Sequence, residues 1–159
     1  MIDTQTTQHS ASDAAPFALT PLDIGLLVVR LVLGVIFFAH GAQKVFGWFG
    51  GHGLETTVQM MGKGGIPPFL AYLAAFTELL GGLGVLVGLL ARLAGLGLSI
   101  VMTVAILKVH LSSGLFAPKG FEFPLALFSM AVLILLAGPG RLAIADIEGR
   151  VLRRWRPTS

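Results

Sequence analysis

Four polar residues interrupt one apolar stretch of the chain, RLVLGVIFFAHGAQKVFGWFGG: Arg30, His40, Gln43 and Lys44. Further on, Glu78 stands alone in FTELLGGLGVLVGLL and His110 closes AILKVH. Together they supply a carboxylate, two imidazoles, an amide and two cations. Such groups bind and protonate a carbonyl or an anionic headgroup. The chain has no cysteine, which excludes thiolate nucleophiles, disulfides, CxxC redox pairs and iron–sulfur ligand sets. No metal-ligand set is assigned. Electrons for any redox reaction must therefore come from a cofactor or a partner.

The elements that hold these residues follow from composition. Of 159 residues, 55% are hydrophobic and 12% charged, and the mean hydropathy is +0.86. Ordinary soluble domains carry about 25% charged residues, so the chain reads as an integral membrane protein in contact with the lipid bilayer, with no nucleic-acid partner. At roughly 20 residues per crossing, it has room for a few spans and no large soluble domain.

Four spans are expected, at residues 22–44, 67–90, 93–111 and 123–137. Pro21 and Asp23 suit the start of the first, paired prolines open the second, and Ala91 and Arg92 form a tight turn before the third. The fold expected is all-α: a four-helix membrane bundle over residues 22–140, with a Gly/aromatic-rich loop after the first helix. Residues 1–21 are polar, lack Lys and Arg, and read as a disordered tail. Leu54, Val58 and Met61 suggest a short amphipathic helix in the first loop. Residues 141–159 read as a basic amphipathic helix, with Ile144, Ile147, Val151 and Trp155 opposite Arg150, Arg153, Arg154 and Arg156.

An even number of spans collects Arg92, Arg141 and the tail arginines on one side, against Lys44, Lys63 and Lys119 on the other. The positive-inside rule then makes both termini cytoplasmic. Counted from that side, Arg30 lies about 10 Å deep, Glu78 about 20 Å, and His40, Lys108 and His110 about 22 to 25 Å. Lys108 projects away from His110 and snorkels outward.

On the first helix, Arg30, Gly34, Phe37, Gly41 and Lys44 share a stripe, with His40 at its edge. Glu78 sits among Ala71, Ala74, Ala75, Gly81 and Gly82, a small-residue face that allows close helix approach and turns Glu78 into protein. Charges inside a membrane cost about 2.5 to 3.5 kcal/mol on insertion scales. Arg30 and Glu78 are therefore expected to pair across helices. Phe46, Trp48 and Phe49 suit an interfacial aromatic belt, and the glycines from Gly47 to Gly53 suit a loop that folds back over a polar pocket.

The signature HGAQKVFGWFGG, the Glu in FTELLGGLGVLVGLLARLAG and the late KGFEFPL resemble the DoxX family of small bacterial four-helix membrane proteins. The resemblance covers residues 22–140. It rests on His40, Gly41, Gln43, Lys44, Gly47 and Gly50 in the signature and on Glu78, Gly81 and Gly82 in the second span. Such a resemblance implies kinship with membrane subunits of quinone-linked oxidoreductases and with proteins tied to sulfur or thiol oxidation and oxidative stress. It also implies a bacterial inner-membrane location.

The leading expectation is a pocket presenting a quinone-like ligand to a redox enzyme partner. His40 and Glu78 relay protons, Gln43, Lys44 and His110 bind polar groups, and Arg30 holds Glu78. A small proton-coupled transporter, acting as a homo-oligomer, and a non-catalytic membrane anchor for a partner enzyme remain open. A bis-His haem between His40 and His110 ranks behind these.

Overall fold

The computed structural model describes residues 19–116 and 118–144. The polar N-terminal tail and most of the basic C-terminal helix expected from the sequence lie outside them. The described residues form five α-helices and no strand: α1 (Pro21–Phe46), α2 (Leu54–Lys63), α3 (Pro68–Val87), α4 (Ala91–Ala105) and α5 (Glu122–Ala137). A wide π turn, Ile106–His110, and a 3₁₀ turn, Leu111–Ser113, extend α4.

Each boundary has a local cause. Thr20 and Asp23 form a reciprocal capping box at the start of α1, with Pro21 at the first helical position. Gly47 ends α1 in the left-handed region at φ 73°, its N–H reaching Ala42 O. Gly88 ends α3 in the same way. The α3–α4 turn therefore lies at Gly88–Leu90, and Ala91 and Arg92 belong to the first turn of α4 rather than to a turn between spans.

Three helices are long and apolar enough to cross a membrane: Pro21–Phe46, Pro68–Val87 and Ala91–Ser113. At 16 residues, α5 is shorter, about 24 Å. The four apolar helices pack in the order α1–α3–α4–α5, with α5 also touching α1. Their shared core includes Leu33, Phe37, Val85, Leu98, Ala131 and Ile134. Aliphatic side chains such as Val28, Val35, Leu80, Ile100 and Leu136 stay exposed on the outer faces. A run of apolar surface this extensive belongs against lipid tails.

Glycines set how closely the helices approach. A Cβ on Gly34 would lie 2.8 Å from Leu86 Cβ and 2.9 Å from Gly82 O. One on Gly95 would lie 2.8 Å from Ala131 O, across the α4–α5 seam. The amphipathic helix expected in the first loop is α2, which buries Val58 and packs on α3 and α1.

Candidate ligand site at the seam of the first and third helices

The antiparallel register of α1 and α3 decides which charges meet. Gly41 lies against Leu79, Gly82 against the backbone of Phe37 and Phe38, and Gly34 against Leu86. Moving along α1 in one direction thus moves along α3 equally in the other. Lys44, in the last turn of α1, comes level with the first half of α3 and reaches Glu78. Its ammonium donates to Glu78 Oε1.

The two partners differ in exposure: 29% for the Lys44 side chain and 3% for that of Glu78. Lys44 is therefore the partner that faces outward, and Glu78 the one enclosed by protein. Glu78 Oε2 is fully buried and has no hydrogen-bond partner among the described residues. A buried oxygen of this kind is costly to leave unpaired.

Arg30 does not hold Glu78. The same register carries it to the far end of α3, where Nε donates to Val85 O at 2.9 Å and Nη2 to Leu86 O at 3.0 Å. Nη1 donates to Pro139 O at 2.9 Å and Leu142 O at 3.1 Å. The guanidinium thus satisfies carbonyls left open at the end of α3 and ties them to the segment after α5. Arg92 does the same for α5, donating to Leu135 O, Leu136 O and Ala137 O. Both arginines act at one end of the bundle, and the Lys44–Glu78 pair lies towards the other.

The remaining signature residues shape the loop after α1. Gln43 Nε2 donates to Phe49 O at 3.1 Å, and Gly53 N donates to Gln43 O at 3.3 Å, so the Trp48–Gly53 loop folds back over the end of α1. Phe49 is held at φ 53°, unusual for a bulky side chain. Trp48 sits between Phe46, with ring centroids 4.9 Å apart, and Phe49 at 6.3 Å, all three exposed. Gln43 anchors this loop with its amide. His40 is exposed one turn before Lys44. His110 lies in the π turn with Nδ1 2.8 Å from Lys119 O, a contact that requires the proton on Nδ1.

Of the expected site residues, the structure brings Lys44 and Glu78 into direct contact, whereas Gln43 bonds to the Trp48–Gly53 loop and Arg30 and His110 meet backbone carbonyls elsewhere. Gly41 and Gly82 make the seam close, whereas Gly81 packs against Leu98 of α4. The ion pair had one sequence signal: Lys44 shares with Gly34 and Gly41 the stripe of α1 that faces α3.

Comparison with known proteins supplies the family. The DoxX family model matches residues 25–111, more than half of the chain and the whole of the Lys44–Glu78 seam. The chain belongs to the DoxX family. It is 36% identical over 108 residues to the Bacillus subtilis (strain 168) protein named "Putative oxidoreductase CatD", covering 68% of this chain and 76% of that one. It is 28% identical over 124 residues to "Inner membrane protein YqjF" of Escherichia coli (strain K12), covering 77% of this chain and 90% of that one. No solved structure matches. This DoxX member is thus a multi-pass membrane protein whose first and third helices share an ion pair between a buried carboxylate and a partly exposed ammonium.

Proposed function

We propose that this protein is the quinone-interacting membrane subunit of an oxidoreductase complex, with Lys44 and Glu78 handling the ring oxygens and their protons. The observation that carries the reading is the buried, unpartnered Oε2 of Glu78 beside an ammonium. Interconversion of a quinone and its hydroquinone moves protons as well as electrons, and this seam offers a proton acceptor and a proton donor side by side. A quinone would supply the redox chemistry. Lys44 would orient a ring oxygen, Glu78 would hold or release its proton, and exposed His40, one turn away on α1, would exchange protons with the surroundings. The Gln43-anchored loop would exclude water from above. The electrons pass between the ligand and a partner enzyme.

The name of the Bacillus relative supports an oxidoreductase link, and that of the Escherichia relative an inner-membrane location. The arginine asymmetry supports cytoplasmic termini, an orientation in which the Lys44–Glu78 seam would lie towards the outer face. A membrane-buried carboxylate would also serve a proton-coupled transporter, and the test separates the two. The detergent-extracted protein is melted with a short-chain benzoquinone in oxidised and in reduced form. A ligand at 100 times its Kd adds about 2.7 kcal/mol to stability, so the melting temperature should rise with at least one form, and Glu78→Leu, which removes both oxygens, should lose that rise. If neither form moves the wild-type melting temperature, the quinone reading is refuted and transport moves ahead.

A further inference from the structure

The two oxygens of Glu78 are not equivalent, and their difference bears on which redox form of a ligand the seam accepts. Oε1 takes the Lys44 ammonium, whereas Oε2 is buried without a partner. A carboxylate paired with an ammonium only accepts hydrogen bonds. The vacancy in its hydrogen bonding is therefore a vacancy for a donor. Lys44 carries three ammonium hydrogens, and one is engaged by Oε1, so another can be donated to an incoming oxygen.

An aryl hydroxyl matches both groups at once, because its O–H donates to Oε2 while its lone pairs accept from Lys44 Nζ. A quinone carbonyl matches only the lysine and leaves two acceptors facing one another. We propose that the Lys44–Glu78 site selects the hydroxyl-bearing form of its ligand, a hydroquinone or related aryl diol, over the quinone. The inference rests on the quinone-linked reading above and specifies the substrate form taken by the same site.

Entry is compatible with the geometry. Lys44 is the more exposed partner, and its four-carbon stem can swing without moving α1. The Trp48–Gly53 loop at the end of α1 is tied down through Gln43 at two points, Phe49 O and Gly53 N. The seam is closed at Gly41 and Gly82, where the backbones of α1 and α3 are in direct contact, so a hydroxyl would reach Glu78 from the side of Lys44.

Leaving a buried acceptor unsatisfied is costly, and more so when it is charged. The hydroxyl form should accordingly bind at least about tenfold tighter than an otherwise equal ligand without the O–H. For a two-electron couple, a tenfold preference for the reduced form raises the bound midpoint potential by about 30 mV. The seam would thereby favour the quinone/hydroquinone couple as the electron-accepting end of a reaction.

The test compares three ligands on the full-length, detergent-extracted protein under anaerobic conditions: a short-chain benzoquinone, its hydroquinone and the dimethyl ether of that hydroquinone. The expected result is a hydroquinone Kd about tenfold or more below both others. In Glu78→Gln the ranking should collapse, because the amide offers a donor as readily as an acceptor. A quinone that binds as tightly as the hydroquinone overturns this inference and leaves the quinone-linked reading standing. Equal binding of hydroquinone and ether also overturns it, since Oε2 would then be satisfied by solvent rather than by ligand. Failure of all three to bind overturns both readings. The wild-type ranking decides the matter even if Glu78→Gln does not fold.

Discussion

Replacing Arg30 by Met removes four hydrogen bonds from a side chain that is 1% exposed. Interhelical hydrogen bonds in a membrane protein average about 0.6 kcal/mol, and charge-assisted ones are roughly twice as strong. Four of them give about 2 to 5 kcal/mol, less whatever desolvation of the guanidinium the change relieves. Arg30→Lys keeps the charge but has one donor atom for four carbonyls spread over two segments, so it should recover less than half of the loss. The register separates this site from Glu78: it sets Arg30 level with position 90, twelve residues beyond Glu78, or about 18 Å along the axis. Arg30→Met and Glu78→Gln should therefore add to within about 0.5 kcal/mol in a double-mutant cycle. Lys44→Gln and Glu78→Gln, which share one ion pair, should couple by about 1 to 3 kcal/mol. Stability would be read from unfolding of the purified protein in mixed micelles of rising SDS fraction. Strong Arg30–Glu78 coupling, or none between Lys44 and Glu78, would refute the register argument.

The glycine contacts give a paired expectation. Gly34→Ala places a Cβ 2.8 Å from Leu86 Cβ and should destabilise by about 1 to 3 kcal/mol, whereas Gly25→Ala, with nothing within 4 Å, should gain about 0.5 to 1 kcal/mol, both by the same unfolding assay. The proposed topology is checked in the cysteine-free chain with Gly64→Cys, which should react with an impermeant maleimide added outside intact cells. A reporter fused after Ser159 should be active only if that end is cytoplasmic, and the reverse pattern would move the Lys44–Glu78 seam to the inner leaflet.

The helices were legible because each apolar run is bounded by residues that act locally. Thr20, Pro21 and Asp23 start α1, Gly47 and Gly88 stop helices, and Pro67 and Pro68 open α3. The small-residue face around Glu78 also announced its burial. What local rules do not carry is the slide of α1 along α3, because α2 and two loops intervene and their length does not fix it. Depths counted from the ends already put Arg30 and Glu78 about 10 Å apart, yet two opposite charges invite pairing more readily than a charge and a row of carbonyls. Backbone acceptors are invisible in a residue string. Helical counting also fails past Ala105, where the π turn widens the backbone and shifts the facing of Lys108 and His110.

The choice of cation at each end of the bundle follows from shape. A guanidinium is a planar fork with five donors, suited to several fixed carbonyls, and Arg30 and Arg92 both meet carbonyls at helix ends. Set against Glu78, the same fork would engage both carboxylate oxygens side by side and close the site. Lysine offers a point charge on a flexible stem. At position 44 it neutralises Glu78 through one oxygen and leaves the other free. The bundle thus has its rigid cations at helix ends and its flexible one beside a carboxylate whose second oxygen has no partner among the described residues. That distribution is what a bundle needs if its buried carboxylate is to meet a ligand rather than only hold two helices together.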